Sequence, residues 1–385
     1  MKLRLLLGSL ASALVLAACG GSSTVDRATP QEPATNPDGS EVTAVLEAQF
    51  DPANGVLPFP NNLLLSGSED LTLNPPVADP ADFGDPSVAL SALDGFSTVA
   101  PWSFSFDQPI DPATVVAGSS VRLFEVQFVF GSIAVESINS ELTPGVDYVA
   151  QAVSPTSVAI VPTQPLQEMT GYMAVVTNGI TDQAGNAATP SQTYFLTKST
   201  DPLVDPAGVS TEPLLNDASA NALEPIRQLV NAQETAASGE GIAREDIVLS
   251  FTATTQAVTP VLSAIRSAAE PTASQIAQVC PAPGVCLNTA SVLPAGASPG
   301  IADLYVGVVD LPYYLGVPSE TNPTAPLTAF WEAAPGAYVP PFNGLGLNPT
   351  STNVTVANPF PAKNADIDWP TLAARIDPSS GQVKA

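Results

Sequence analysis

Residues 296–300 read Gly-Ala-Ser-Pro-Gly, the G-x-S-x-G spacing that places a serine on a sharp strand-to-helix turn for acyl transfer. Such a serine needs three things: a base to take its proton, an amide N–H behind it to hold the oxyanion, and a strand before it. None is present. The chain contains 0 histidines, so no imidazole can act as the base near neutral pH. The residue after Ser298 is Pro299, which has no N–H to donate. Pro294 interrupts the upstream "NTASVLPA", and the downstream "IADLYVGVVDL" has the texture of a strand, not of an amphipathic helix. Ser298 is therefore expected in a turn. A Ser-Lys dyad offers no escape, because Lys198, Lys363 and Lys384 lie in no S-x-x-K arrangement. No catalytic residue is assigned.

The other chemistry-bearing residues are equally spare. Paired carboxylates can cleave glycosides, but Asp79, Asp85 and Asp201 fall in Asp-Pro or turn contexts and no pair stands out. "DPADFGDPS" and "TDQAGN" could offer oxygens to calcium, yet neither has the spacing of an EF-hand loop, and both are expected as structural turns. No metal site and no cofactor is expected. With 37 acidic against 11 basic residues, the formal charge is −26. That surface repels nucleic-acid phosphates and anionic lipid headgroups alike.

The elements that must carry these residues begin with an export signal. In "MKLRLLLGSLASALVLAACGGSS", Lys2 and Arg4 precede an apolar core at residues 5–18, too short to span a bilayer comfortably. Leu16-Ala17-Ala18-Cys19 then resembles the lipobox of bacterial lipoproteins. The resemblance implies cleavage after residue 18, a diacylglyceryl-modified Cys19 with palmitate-type chains, and membrane anchorage through several acyl chains. Gly20, where aspartate would favour inner-membrane retention, implies an outer-membrane location, with the face left open. Residues 19–43 lack an apolar period and are expected as a flexible tether.

Export implies an oxidising compartment. With Cys19 acylated, Cys280 and Cys286 in "CPAPGVC" are left as an even pair, expected to form a disulfide. Zinc is disfavoured, since two thiols without histidine make half a site.

Proline, at 40 residues, and glycine, at 26, argue against long helices and for short strands joined by turns. Residues 44–98 are expected as an extended, turn-rich segment. Residues 99–200 alternate more cleanly. In "WSFSFDQPI", Trp102, Phe104 and Phe106 share one face; "SVRLFEVQFVF", "SVAIVPTQPL" and "GYMAVVTNGI" add strands, "TDQAGNAA" a hairpin turn and "QTYFLTK" a closing strand. Roughly six strands in about 100 residues predict an immunoglobulin-like sandwich. Residues 201–360 are expected as a mixed α/β segment holding the disulfide loop. It has helices at "NALEPIRQLVNAQETAAS" and "VTPVLSAIRSAAE" and strands at "REDIVLSFTATTQ" and "ADLYVGVVDLPYYL". Residues 361–385 are expected as a loose tail. The fold class is thus mainly β with a smaller α/β part.

The order "FSFDQPIDPATV…SVRLFEV…TGYMAVVTNGITDQAGNAA…YFLT" also resembles bacterial Ig-like domains. The run from "FDPANGVLPFPNNLLL" to "LYVGVVDLPYYL" resembles the N-terminal region of the bacterial virulence-factor lipases, outer-membrane lipoproteins that hydrolyse lysophospholipids. In that family a catalytic α/β-hydrolase domain follows. The resemblance is carried by phrases and not by catalytic residues, so none is transferred. It implies a non-catalytic, acidic, anchored module that presents a hydrolase or binds a surface partner. The alternatives are a lipase whose catalytic domain is missing from this chain (a natural relative, a fragment or a frameshift product), and a surface adhesin or carbohydrate-binding module.

Overall fold

The computed structural model describes residues 35–368, except 38, 41, 81, 83, 271–273, 298–299, 329 and 363. Cys19, the signal at 1–18 and Ser298 lie outside the described residues. The strands are β1 (Leu46–Ala48), β2 (Trp102–Ser105), β3 (Val121–Phe128), β4 (Val135–Glu141), β5 (Tyr148–Ser154) and β6 (Ser157–Pro162). They continue as β7 (Gly171–Thr177), β8 (Ala188–Pro190), β9 (Ile247–Thr254), β10 (Ser274–Gln278), β11 (Tyr305–Tyr313) and β12 (Ala365–Asp368). The helices are α1 (Pro86–Leu90), α2 (Gln192–Thr197), α3 (Asp217–Gly239), α4 (Thr259–Ala268), α5 (Thr289–Val292) and α6 (Ala325–Thr328). The chain is mainly β and divides into two compact units, the first ending at Ala257 and the second built chiefly of Val258–Ala385.

The first unit is a sandwich of two antiparallel sheets, ordered β2-β6-β5 and β4-β3-β7-β9. Alternation sends Trp102 and Phe104 inward with Tyr148, Val158 and Ile160, where they meet Leu123, Ala174, Val176 and Phe251 of the larger sheet in one core. The Trp102 and Phe251 ring centroids stand 5.8 Å apart. Gly95 lets its loop lie against the end of β9: a Cβ there would fall 2.7 Å from backbone atoms of residues 254–256.

β3 and β7 are apolar on both faces because the larger sheet is covered on both. Val121, Leu123, Tyr172 and Ala174 enter the sandwich core. Phe124, Val126, Met173 and Val175 enter a second cluster with Ala237 of α3. The unit therefore has three layers: sheet, sheet and helix.

Four sequence expectations are revised. First, "QTYFLTK" is the helix α2, not a strand. The Ser191 side chain accepts from Tyr194 N at 3.3 Å, and one capped turn wins over a segment too short for its period to decide. Second, the sandwich does not close within 99–200, because β9, from the segment assigned to a separate α/β region, completes the larger sheet beside β7. Third, the end of the expected tether is tied down. The Asn36 side-chain oxygen accepts from Ala187 N at 2.8 Å, and Asn186 Oδ1 accepts from Thr43 N at 2.8 Å. Two asparagine amides supply the pairing that the backbone lacks there. Fourth, residues 365–368 of the expected loose tail form β12, which pairs with Asp310–Tyr313 of β11.

α3 also runs 23 residues despite Pro225 within it, longer than the proline content suggests. Side chains that clamp the helix to its surroundings, described below, favour the helical state where propensity alone does not.

The second unit contains α4, with Pro260 in its first turn as expected, and a three-stranded antiparallel sheet ordered β10-β11-β12.

Candidate functional site

The GASPG segment lies between α5 and β11, so it leads out of a helix and towards a strand, the reverse of a nucleophile elbow. Ser298 and Pro299 themselves are outside the described residues. The flanking glycines are explained without catalysis. Gly296 and Gly300 have φ of 84° and 77°, the left-handed region in which a β-carbon is strained. At Gly300 a Cβ would also press on Asn288 Oδ1 at 3.1 Å.

The nearby cysteines form the expected disulfide, Cys280–Cys286. It lies in the connection from β10 to β11, which backbone pairs pin at its base: Val279 N donates to Leu304 O, and Leu304 N donates to Leu287 O, each at 2.9 Å.

Titratable groups converge elsewhere, where α2, α3 and the start of β9 meet. Glu234 of α3 is fully buried and receives two cations, Lys198 Nζ at 3.2 Å and Arg244 Nη2 at 2.9 Å. Tyr194 of α2 donates to the same carboxylate at 3.2 Å and stands 2.7 Å from Ser250 Oγ, which donates to Gln233 Oε1 at 2.7 Å. Burial first, and then the Glu234 charge, push the Tyr194 phenol well above its ordinary pKa. Burial lowers the Lys198 pKa, and Glu234 opposes that shift.

A seryl, a tyrosyl, a lysyl and a carboxylate in one cluster are groups that could do chemistry, but here they are consumed. Ser250 is 2% exposed and Tyr194 0%, leaving no approach for an acyl carbon. Lys198 Nζ also donates to the Arg244 carbonyl at 2.6 Å and to the Ile247 carbonyl, and Arg244 donates to Asn231 Oδ1 at 2.9 Å. The cluster is a closed clamp between the helices and the sheet.

A second clamp lies further towards the start of α3. Arg227 grips Glu224 with two hydrogen bonds, at 2.8 and 2.7 Å, and reaches the Ser199 and Thr200 carbonyls. Glu224 also accepts from Leu203 N at 2.9 Å. The Arg227 guanidinium is the main reason why the Glu224 pKa falls to about 2, against the opposing effect of burial.

Sequence reasoning missed both clamps. The available signal was on α3 itself. Arg227 and Glu234 fall seven apart, on the stripe where Ala220, Val230 and Ala237 are buried, and a charge on a buried stripe needs a partner.

Of the two expected turns, "TDQAGN" is described in full. Asp182 Oδ1 accepts from Ala184 N and Asn186 N, both at 2.8 Å, and Oδ2 from Asn186 Nδ2 at 2.6 Å. Burial opposes ionisation there, but these bonds hold the carboxyl below the ordinary range. The carboxylate is spent on its own turn.

Comparison with known proteins adds what the geometry cannot. No curated protein matches. Solved structures of the bacterial S-layer protein SbsC align at 14% identity over 24% of this chain. They are its N-terminal part (TM-score 0.16, 19% of that chain), the longer rSbsC (0.16, 11%) and domains 1–6 (0.17, 11%). At such scores they carry no argument. The family described as "Bacterial virulence factor lipase N-terminal" matches residues 40–283, well over half of the chain and across the whole sandwich. This protein belongs to the bacterial virulence factor lipase N-terminal family.

Proposed function

We propose that this chain is a non-catalytic lipase module, anchored at the outer membrane through acylated Cys19, whose β-rich body presents or positions an ester-hydrolysing domain. One observation carries the reading. A member of a lipase family has no histidine, and its buried Ser250–Tyr194–Glu234–Lys198 cluster is closed on itself. The seven strands of the sandwich, three in one sheet and four in the other, support an Ig-like scaffold. The folded body begins near residue 36, so 17 residues separate it from Cys19, a reach of at most about 60 Å.

The anchor is tested by fractionating cells that express the chain. The wild type is expected in the membrane fraction with incorporated palmitate, and Cys19→Ser in the soluble fraction without it. Unchanged membrane association of Cys19→Ser would overturn the anchor.

A further inference from the structure

The two units are stabilised very differently. The first buries Trp102, Tyr148, Tyr194, Phe124 and Phe251 completely, and both connected apolar clusters lie in it. Among the described side chains of residues 258–368, the buried hydrophobic ones are Ala264, Ala325, Ala333 and Ala357, all alanines. Larger apolar side chains there stand in solvent: Ile276 is 69% exposed, Tyr305 58%, Ile301 88% and Leu327 86%. Two of them share a face of the sheet. Ile276 lies opposite Gly307, and Tyr305 is two residues from Gly307 on the same strand. β11 itself, "YVGVVDLPY", is the kind of near-continuous apolar strand that sheets bury on both faces. A sheet of this composition is completed by a packed layer.

Charge narrows the choice of that layer. Residues 258–368 carry seven carboxylates, Glu270, Asp303, Asp310, Glu320, Glu332, Asp366 and Asp368, against Arg266 and Lys363. A second copy would set acid against acid across a two-fold interface, and an anionic bilayer would be repelled in the same way. A folded domain with an apolar face and a basic rim would not.

We propose that the face of the β10–β11 sheet bearing Ile276 and Tyr305 is the docking surface for the hydrolase domain. The inference rests on the presenting role proposed above and adds where the contact is made. The hydrolase covers the exposed apolar side chains, and its basic rim answers the acidic surround.

The test uses the full anchored chain in its native cells. p-Benzoylphenylalanine replaces Ile276 or Tyr305, or Val153 on the first unit as a control, itself 56% exposed. After irradiation, a fluorophosphonate probe labels any serine hydrolase in the adduct. A labelled adduct is expected from positions 276 and 305 and not from 153. Ile276→Asp, with the sandwich melting as in wild type, is expected to lower recovery of the labelled partner at least tenfold. A labelled adduct from 153 alone would leave the presenting role standing and overturn this surface. No labelled adduct from any position would overturn the presenting role itself. An adduct of two copies of the chain, or with lipid only, would also overturn the proposal.

Discussion

Replacing Glu234 by glutamine tests the reading of the buried cluster as a clamp. The substitution keeps the shape and leaves an acceptor for Tyr194, but removes the negative charge between Lys198 and Arg244. Removing one partner of a buried ion pair costs about 3–5 kcal/mol, because the remaining charge stays buried. Here the cations are not sealed: the Lys198 side chain is 15% exposed and that of Arg244 28%, and both keep carbonyl acceptors. The low end applies, about 3 kcal/mol, which for a unit of this size lowers Tm by about 6–12 °C. Urea unfolding of residues 20–385 at pH 7, followed by circular dichroism and by emission from buried Trp102, measures the loss. In a cycle with Lys198→Met the losses should fall short of additive by about 1 kcal/mol or more, since both changes break the same pair. A loss below about 1 kcal/mol for Glu234→Gln would refute the clamp.

Three further outcomes follow from the same geometry. Glu224, with a folded pKa of about 2 against ~4.3 when unfolded, contributes about 2–3 kcal/mol at neutral pH. Because its pKa is depressed on folding, that contribution is present above the unfolded value and fades as pH falls from about 5 to 2. Glu224→Gln should therefore flatten the acid limb of a Tm-against-pH curve, and an unchanged limb would count against the Arg227 pairing. Asn186→Ala should unfasten the 36–43 segment, raising amide hydrogen exchange at Thr43 by about tenfold, equivalent to one lost hydrogen bond of about 1–1.5 kcal/mol; exchange equal to wild type would show that the segment is held otherwise. Reducing Cys280–Cys286, a bridge of sequence separation 6, should loosen the second unit by about 2 kcal/mol while the melting of the sandwich stays fixed. A shift in the sandwich transition would contradict independent stabilisation of the two units.

Where period and burial agree, the sequence was sufficient. The alternation of Trp102 and Phe104 marked an inner face, and the double-sided apolar character of β3 marked a strand covered on both sides, although not what covers it. Sequence reading failed where pairing is long-range or made by side chains. Nothing local shows that β9 pairs with β7 across some 70 intervening residues, or that Asn36 meets the turn at 182–187. α2 was misread because Tyr194 and Leu196 are buried in a helix as they would be in a strand, and only the Ser191 cap separates the two. The site was legible mainly as an exclusion: the missing imidazole and Pro299 argue against the serine motif at once. The clamps could not be read with the same ease, since their partners come from α2, α3 and residues 199–203 and 244–250. An Arg227–Glu224 pair three apart on a helix also looks like surface decoration until its stripe is seen to be buried.

The most direct measurement is ester hydrolysis by purified residues 20–385, using p-nitrophenyl esters of short and long acids and a lysophospholipid. No turnover above buffer is expected, with or without Ser298→Ala. Turnover that copurifies with the chain and disappears in Ser298→Ala would contradict the account, since it would show acyl transfer without a histidine base.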